Sequence, residues 1–178
     1  MMLLPRLLLV CVALLLAACT VTPEPPLETG HGTPLDIRKY FTGSTTSSGR
    51  VHGPLGKERE RFTAVLEGRR EADILHLDQR FTFASGRKLH RVWKIRRAES
   101  GHWDVTATGI PGPVEIEERR RSIHLRYPMN IDLGGAQHEV TFDQWMWLSD
   151  DRDGTLLNRA TISKLGVKVA TVSEEFRK

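Results

Sequence analysis

Alternation of apolar and polar residues with a period of two dominates the chain from Gly43 onward. In SIHLRYPMNIDL, Ile123, Leu125, Tyr127, Met129, Ile131 and Leu133 share one face, and Ser122, His124, Arg126, Pro128, Asn130 and Asp132 share the other. Apolar residues in strict alternation over this length fit a half-buried strand and not a helix. Pro128 has no N–H to give to a ladder, so the strand is predicted to be an edge there or to carry a bulge. The same pattern recurs in three other runs. Phe62, Ala64 and Leu66 oppose Thr63, Val65 and Glu67; Leu75, Leu77, Phe81 and Phe83 oppose Asp78 and Arg80; Trp103, Val105 and Ala107 oppose His102, Asp104 and Thr106.

Turn-forming stretches punctuate these runs: EGRREAD, ASGR, AESGH, IPGP, DLGGAQ and DDRDG. Short turns between successive strands make neighbours antiparallel. No long amphipathic helix follows Gly43. LDIRKYF, just before, is compatible with a helical turn or a first strand. The predicted fold is therefore all-β. A sandwich and a closed barrel both suit such strands, and the sequential hairpins favour a single antiparallel up-and-down barrel of about 8–10 strands.

In FDQWMWLSDDRDGTLLNRATISKLG, DDRDG is predicted to turn a hairpin that sets Leu148 opposite Leu156. Met146 then faces Asn158 and Trp145 faces Arg159. Phe142, Met146, Leu148, Leu156 and Ile162 form an apolar face. Asp143, Trp145 and Arg159 share the other, where Arg159 is expected to lie between an indole and a carboxylate, with a cation–π contact of roughly 0.5–2 kcal/mol.

The first residues belong to a different regime. MMLLPRLLLVCVALLLAAC has one positive charge, Arg6, then an apolar run from Leu7 to Ala18, the layout of a secretory signal. The run is shorter than the ~20 residues of a spanning helix. Leu16 to Cys19, LAAC, resembles the lipobox of bacterial lipoproteins, in which the cysteine becomes the acylated N-terminus. The expected organisation is a signal peptide over 1–18, an acylated Cys19 with a Pro-rich tether over 19–34, and one barrel domain over 35–178. The acyl anchor makes membrane lipid a partner and holds the protein to a membrane without spanning it. In the Gram-negative lipoproteins that this start resembles, a residue other than Asp after the cysteine, here Thr20, implies sorting to the outer membrane, where the periplasmic face is the expected location. Cys11 leaves with the signal, so no thiol remains for a disulfide, a zinc site or a nucleophile. The formal net charge of +4 is too mild to argue for nucleic acid, and no nucleic-acid partner is expected.

YFTG (Tyr40 to Gly43), RFTAVLEG, LDQRFTFASG, RVWKI, RYPMNIDLGG, FDQWMWLSDD and LLNRATISKLG, with FRK at the end, together resemble the bacterial lipoprotein family called domain of unknown function 3833. The likeness runs from about Leu35 to Lys178. Its most specific part is the last third, where the family has Asp-Asp-Trp-Met, then Asn-Arg-Ala and Ser-Lys-Phe-Gly. Here Gln144 replaces the second Asp and Leu165 the Phe, and ATGIPGPVEIEE departs most. The resemblance implies a lipocalin-like barrel. It brings no established activity.

Motifs of catalysis are absent: no G-x-S-x-G elbow, no H-E-x-x-H, no phosphate loop and no dinucleotide fingerprint. The histidines are scattered, with His76, His90, His102 and His124 on polar faces. No catalytic residue, metal or cofactor is expected, and the chain is read as not an enzyme. The run Arg87 to Arg97, with six Lys or Arg residues, is either a solvated strand face or a contact for anionic headgroups. The candidate ligand or core face is Phe62, Leu75, Phe81, Trp103, Tyr127, Met129, Phe142 and Met146. The family-motif polar cluster is Asp143, Trp145, Asn158 and Arg159. The function expected is non-catalytic binding of a fatty acid, lipid or other hydrophobic ligand on the periplasmic side. The alternative is a structural or protein-interaction lipoprotein of the envelope with a filled barrel.

Overall fold

The computed structural model describes residues 22, 24–26, 32–133, 135–152 and 154–178. The signal segment and Cys19 lie outside them. Asp36 caps a short helix, α1 (Ile37–Tyr40), its carboxylate accepting from the backbone N–H groups of Arg38 and Lys39 at 2.9 and 3.1 Å. Ten strands follow: β1 (Gly43–His52), β2 (Glu58–Glu71), β3 (Ile74–Phe83), β4 (Lys88–Arg97), β5 (Trp103–Ala107), β6 (Glu115–Glu118), β7 (Ser122–Leu133), β8 (Ala136–Leu148), β9 (Leu156–Lys164) and β10 (Val167–Arg177).

They form one antiparallel sheet in the order β5-β4-β3-β2-β1-β10-β9-β8-β7-β6. Each strand pairs with its neighbour in sequence, and the first pairs with the last. Only β5 and β6 fail to pair, so the barrel is nearly closed, with one seam. Across that seam Arg97 pairs with Glu118 at 2.9 Å, the Asn130 N–H donates to the Gly109 carbonyl at 2.7 Å, and the Trp93 and Tyr127 rings meet edge-on at 5.8 Å.

The alternation read from the sequence sets the inner face. Phe62, Ala64 and Leu66 of β2, Leu75, Leu77 and Phe81 of β3, and Ile123, Leu125, Tyr127 and Met129 of β7 are all buried. β7 pairs with β6 only from Ile123 to Arg126, while its pairing with β8 continues past Pro128. Pro128 is thus a local edge position, as a residue without an N–H requires. The β8–β9 register matches the hairpin expectation: Leu148 opposes Leu156, Met146 opposes Asn158, and Trp145 opposes Arg159.

One end of the barrel is plugged. Leu35, Ile37 and Phe41 are buried, and Phe41 packs edge-on against Phe176 at 5.3 Å. The chain passes so close to β2 that a Cβ on Gly68 would fall on the carbonyl oxygen of Phe41, with Leu75 Cδ1 3.2 Å away. A backbone carbonyl cannot swing aside as a side chain can. Gly68→Ala is expected to cost about 2–3 kcal/mol, the upper part of the overpacking range, measured as a shift in the urea unfolding midpoint. An unchanged midpoint would show that α1 does not seat on β2 in solution.

Candidate functional site

Inside the half of the barrel away from α1, polar side chains gather among apolar ones. Three of them occupy inward positions on β1, β9 and β10. The Ser47 hydroxyl donates to Glu174 Oε1 at 2.7 Å, and Asn158 Nδ2 donates to Glu174 Oε2 at 3.2 Å. All three residues are buried. Gly49, next along β1 and register partner to Phe62, leaves room for the Phe62 ring, which occupies the space its Cβ would need. Phe62 extends an aromatic cluster with Phe81 at 5.6 Å and Phe83 at 5.7 Å.

The wall nearest the seam carries the rest. Tyr127 stacks on Phe142 at 5.5 Å and donates its hydroxyl to Gln144 Oε1 at 2.8 Å. Trp93 Nε1 donates to Gln79 Oε1 at 3.2 Å. Arg91, partly buried on β4, reaches over the seam so that Nη2 lies 3.1 Å from Met129 Sδ. Its guanidinium sits 5.7 and 5.8 Å from the ring centroids of Phe81 and Trp93.

Burial controls the charge of these groups. Desolvation pushes the Glu174 carboxyl up to about 7, against the opposing pull of its bonds from Ser47 and Asn158 and of the Arg91 charge. Desolvation likewise lowers Arg91 from the ordinary guanidinium value and raises the Tyr127 hydroxyl. The interior therefore holds a carboxyl poised between two protonation states and a poorly hydrated cation. Among the described residues Asn158 Oδ1 is buried without a partner, so the network keeps an unused acceptor.

The sequence-derived ligand face is divided by this geometry. Leu75 packs under the plug, and Trp103 lies beneath the guanidinium groups of Arg38 of α1 and Arg97 at 5.9 and 5.4 Å. Phe81, Tyr127, Met129 and Phe142 surround the polar group near Arg91. Phe62 lies beside Gly49, and Met146 is buried as the register partner of Asn158.

The family-motif residues do not form one cluster. Asn158 points inward. Asp143, Trp145 and Arg159 share the outer face, but Arg159 does not bridge the other two. Its guanidinium lies 5.9 Å from the Trp147 ring and donates to the Asn158 carbonyl at 2.9 Å. The expected place beside Trp145 is taken. His124 stacks on that indole at 4.5 Å, the Arg119 guanidinium lies 4.3 Å from its centroid, and the Asp143 carboxylate pairs with His124 at 3.1 Å. β7 and the turn that precedes it thus offer Asp143 and Trp145 closer partners than β9 does. Thr22, almost wholly buried, donates its hydroxyl to the Asp143 carbonyl at 2.7 Å. Pro25 and Pro26 border a small recess with Trp147 and Leu148. The described residues of the segment read as a tether therefore lie along the barrel wall.

Arg91 and Glu174 were not singled out from the sequence, yet a signal was present. Arg91 shares its parity with Leu89, Trp93 and Ile95, and Glu174 shares its parity with Val172 and Phe176. A charge at an apolar-parity position marks an interior polar group. The remaining arginines of the basic run are outward or at the seam and ion-paired: Arg87 with Glu60, Arg96 with Asp104 and Arg97 with Glu118. Among the described residues, no group of three His, Cys, Asp or Glu side chains is placed to hold a metal ion.

The model of a family described as "Protein of unknown function (DUF3833)" matches residues 13–178. No curated protein matches the chain. Among solved structures, the chain is similar to the S-type phycobiliprotein lyase CPES from Guillardia theta, with a TM-score of 0.57 and 10% identity over 81% of this chain and 93% of that one. At that identity the likeness establishes a shared lipocalin-like barrel. It also corrects the expectation that the chain is not an enzyme. A protein titled a lyase is built on this fold, so a barrel without familiar catalytic motifs is no argument against catalysis.

Two measurements check this geometry. Because the folded pKa of Glu174 is raised, its destabilising effect is absent below the unfolded value and grows as pH rises from about 4.5 to 7, to on the order of 3 kcal/mol. Glu174→Gln should therefore raise stability at pH 8 and change it little at pH 5, with Asn158 turning its spare oxygen toward the new amide. Equal effects in urea unfolding at both pH values would refute the assignment. On the outer face, the exchange Asp143→Arg with Arg159→Asp should show losses additive within about 0.5 kcal/mol, since the two groups do not touch.

Proposed function

The chain belongs to the DUF3833 family, and we propose that its barrel binds a hydrophobic ligand, a lipid or acyl chain, in the half away from α1. The observation that carries this reading is the convergence of Arg91, Tyr127, Gln144, Asn158 and Glu174 among Phe81, Met129 and Phe142. A mostly apolar site with a few convergent polar groups is the usual build of a small-molecule site. A filled core without a ligand would gain nothing from buried charge, which costs free energy to desolvate. The seam supports the reading as well: side chains rather than a ladder hold it, so it is the part of the wall that opens with the least loss of backbone hydrogen bonds.

On this reading the protein is a lipoprotein acylated at Cys19, carried on the periplasmic face of the outer membrane. Two residues, Thr20 and Val21, separate Cys19 from Thr22, a span of at most about 11 Å. With Thr22 held at Asp143, the anchor would keep the outer face of β8 close to the bilayer, within reach of its lipids.

A specific observation favours a second reading, a protein-interaction role. A groove of about 630 Å³ runs along β1, β2, β3 and β10, lined by Ser48, Thr63, Arg50, Arg61 and Arg159 together with Gly49, Phe62 and Glu174.

Extraction of the purified full chain with organic solvent separates the two. Covalent acyl chains at Cys19 stay with the protein, while a bound ligand is released. The binding reading expects about one hydrophobic molecule per chain by mass spectrometry. Recovery of none, with no uptake of added lipid, would leave the groove as the functional surface. Cys19→Ser should abolish metabolic labelling with palmitate; persistent labelling would overturn the anchor.

A further inference from the structure

This inference rests on the reading of the barrel interior as the binding site and concerns the chemistry of what it holds. Among the described residues, Arg91 makes no ion pair; its contacts are the Met129 sulfur and the rings of Phe81 and Trp93. The acid whose charge it feels inside the barrel, Glu174, gives its two carboxylate oxygens to Ser47 and Asn158. A desolvated cation is a large expense unless an anion with good hydrogen-bond geometry meets it. A thioether and two ring faces at nearly 6 Å are weak compensation. The guanidinium presents a planar fork of donors that fits a carboxylate with two parallel bonds.

We propose that Arg91 is the counter-ion for the carboxylate of a long-chain monocarboxylic acid, whose hydrocarbon chain lies against Phe81, Met129 and Phe142. Charge balance selects this class. Among the described residues the interior offers one cation, Arg91, and Glu174 stands close enough for its charge to be felt there. With the Glu174 carboxyl protonated, as its burial favours, a monoanion neutralises Arg91, whereas a phosphate dianion would leave the site negative. A neutral ester or alcohol would leave Arg91 unpaired. The position at the seam fits this role: Arg91 lies beyond the stretch where β4 pairs with β5, Trp93 to Arg97, and spans to β7. An acid entering between β4 and β7 would meet it first.

The test uses the full chain, freed of extractable lipid, and two probes of equal length, dodecanoate and dodecan-1-ol, titrated by calorimetry. The wild-type protein is expected to bind the acid about tenfold or more tightly than the alcohol, the usual scale of a charged hydrogen-bonded pair. Arg91→Gln should erase that preference, and Arg91→Lys should keep part of it. Arg91→Gln should also keep or raise the unfolding midpoint, because it removes an unpaired cation, so loss of preference cannot be put down to loss of fold. Equal affinity of the wild-type protein for acid and alcohol would overturn the carboxylate assignment and leave hydrophobic binding standing. So would a preference that survives in Arg91→Gln. Binding of neither probe would overturn both.

Discussion

The structure depends on the ladder between β1 and β10. Each of the other ladders joins neighbours in sequence and is reached by closing a short turn. This one joins the first strand to the last, with Thr46 opposite Arg177 and His52 opposite Thr171. Without it the chain would be two separate five-stranded meanders, each with an apolar face open to water. With it the two faces turn toward one another and become an interior. The same ladder carries Ser47 to Glu174, so the contact that closes the fold also creates the most unusual group inside it.

On the opposite side the ring is not closed by backbone. β5 and β6 are short and separated by a stretch rich in Gly and Pro, and the neighbouring strands meet through side chains and one isolated backbone bond. A barrel with nine ladders and one seam is stable because edges are dangerous only when long and flat, and here Pro128 and the brevity of β6 keep the edge from growing. The seam is also where Arg91, Trp93, Tyr127 and Met129 meet. The plugged end, by contrast, is built for permanence, with α1 capped by Asp36 and seated on a glycine. The side closed without a ladder thus lies beside Arg91, while the end covered by α1 lies away from it.

The faces of the strands were legible in the sequence, because a side chain's direction in a strand is set by its own backbone. The hairpin register of β8 and β9 was legible too, since DDRDG fixes which residues oppose one another. The error at Arg159 shows the limit. Register places residues on a face, but a long side chain chooses among partners on both neighbouring strands, and β7 supplied His124 to the Asp143–Trp145 pair before β9 supplied Arg159. Arg91 and Glu174 escaped notice for a related reason. Each interrupts an apolar row and, read within its own strand, looks like one charge among many in a basic or acidic run.

By itself, then, the sequence determined the all-β class, the inward and outward faces, the local edge at Pro128 and the membership of the family, all of which follow from periodicity, turn chemistry and motif. The tertiary structure alone decided which inward residues meet. Arg91, Met129 and Glu174 lie on strands far apart in the chain, and their convergence depends on the tilt of the strands and on the closure of β1 onto β10. No local pattern encodes those quantities, because they arise from the whole ring of ladders at once.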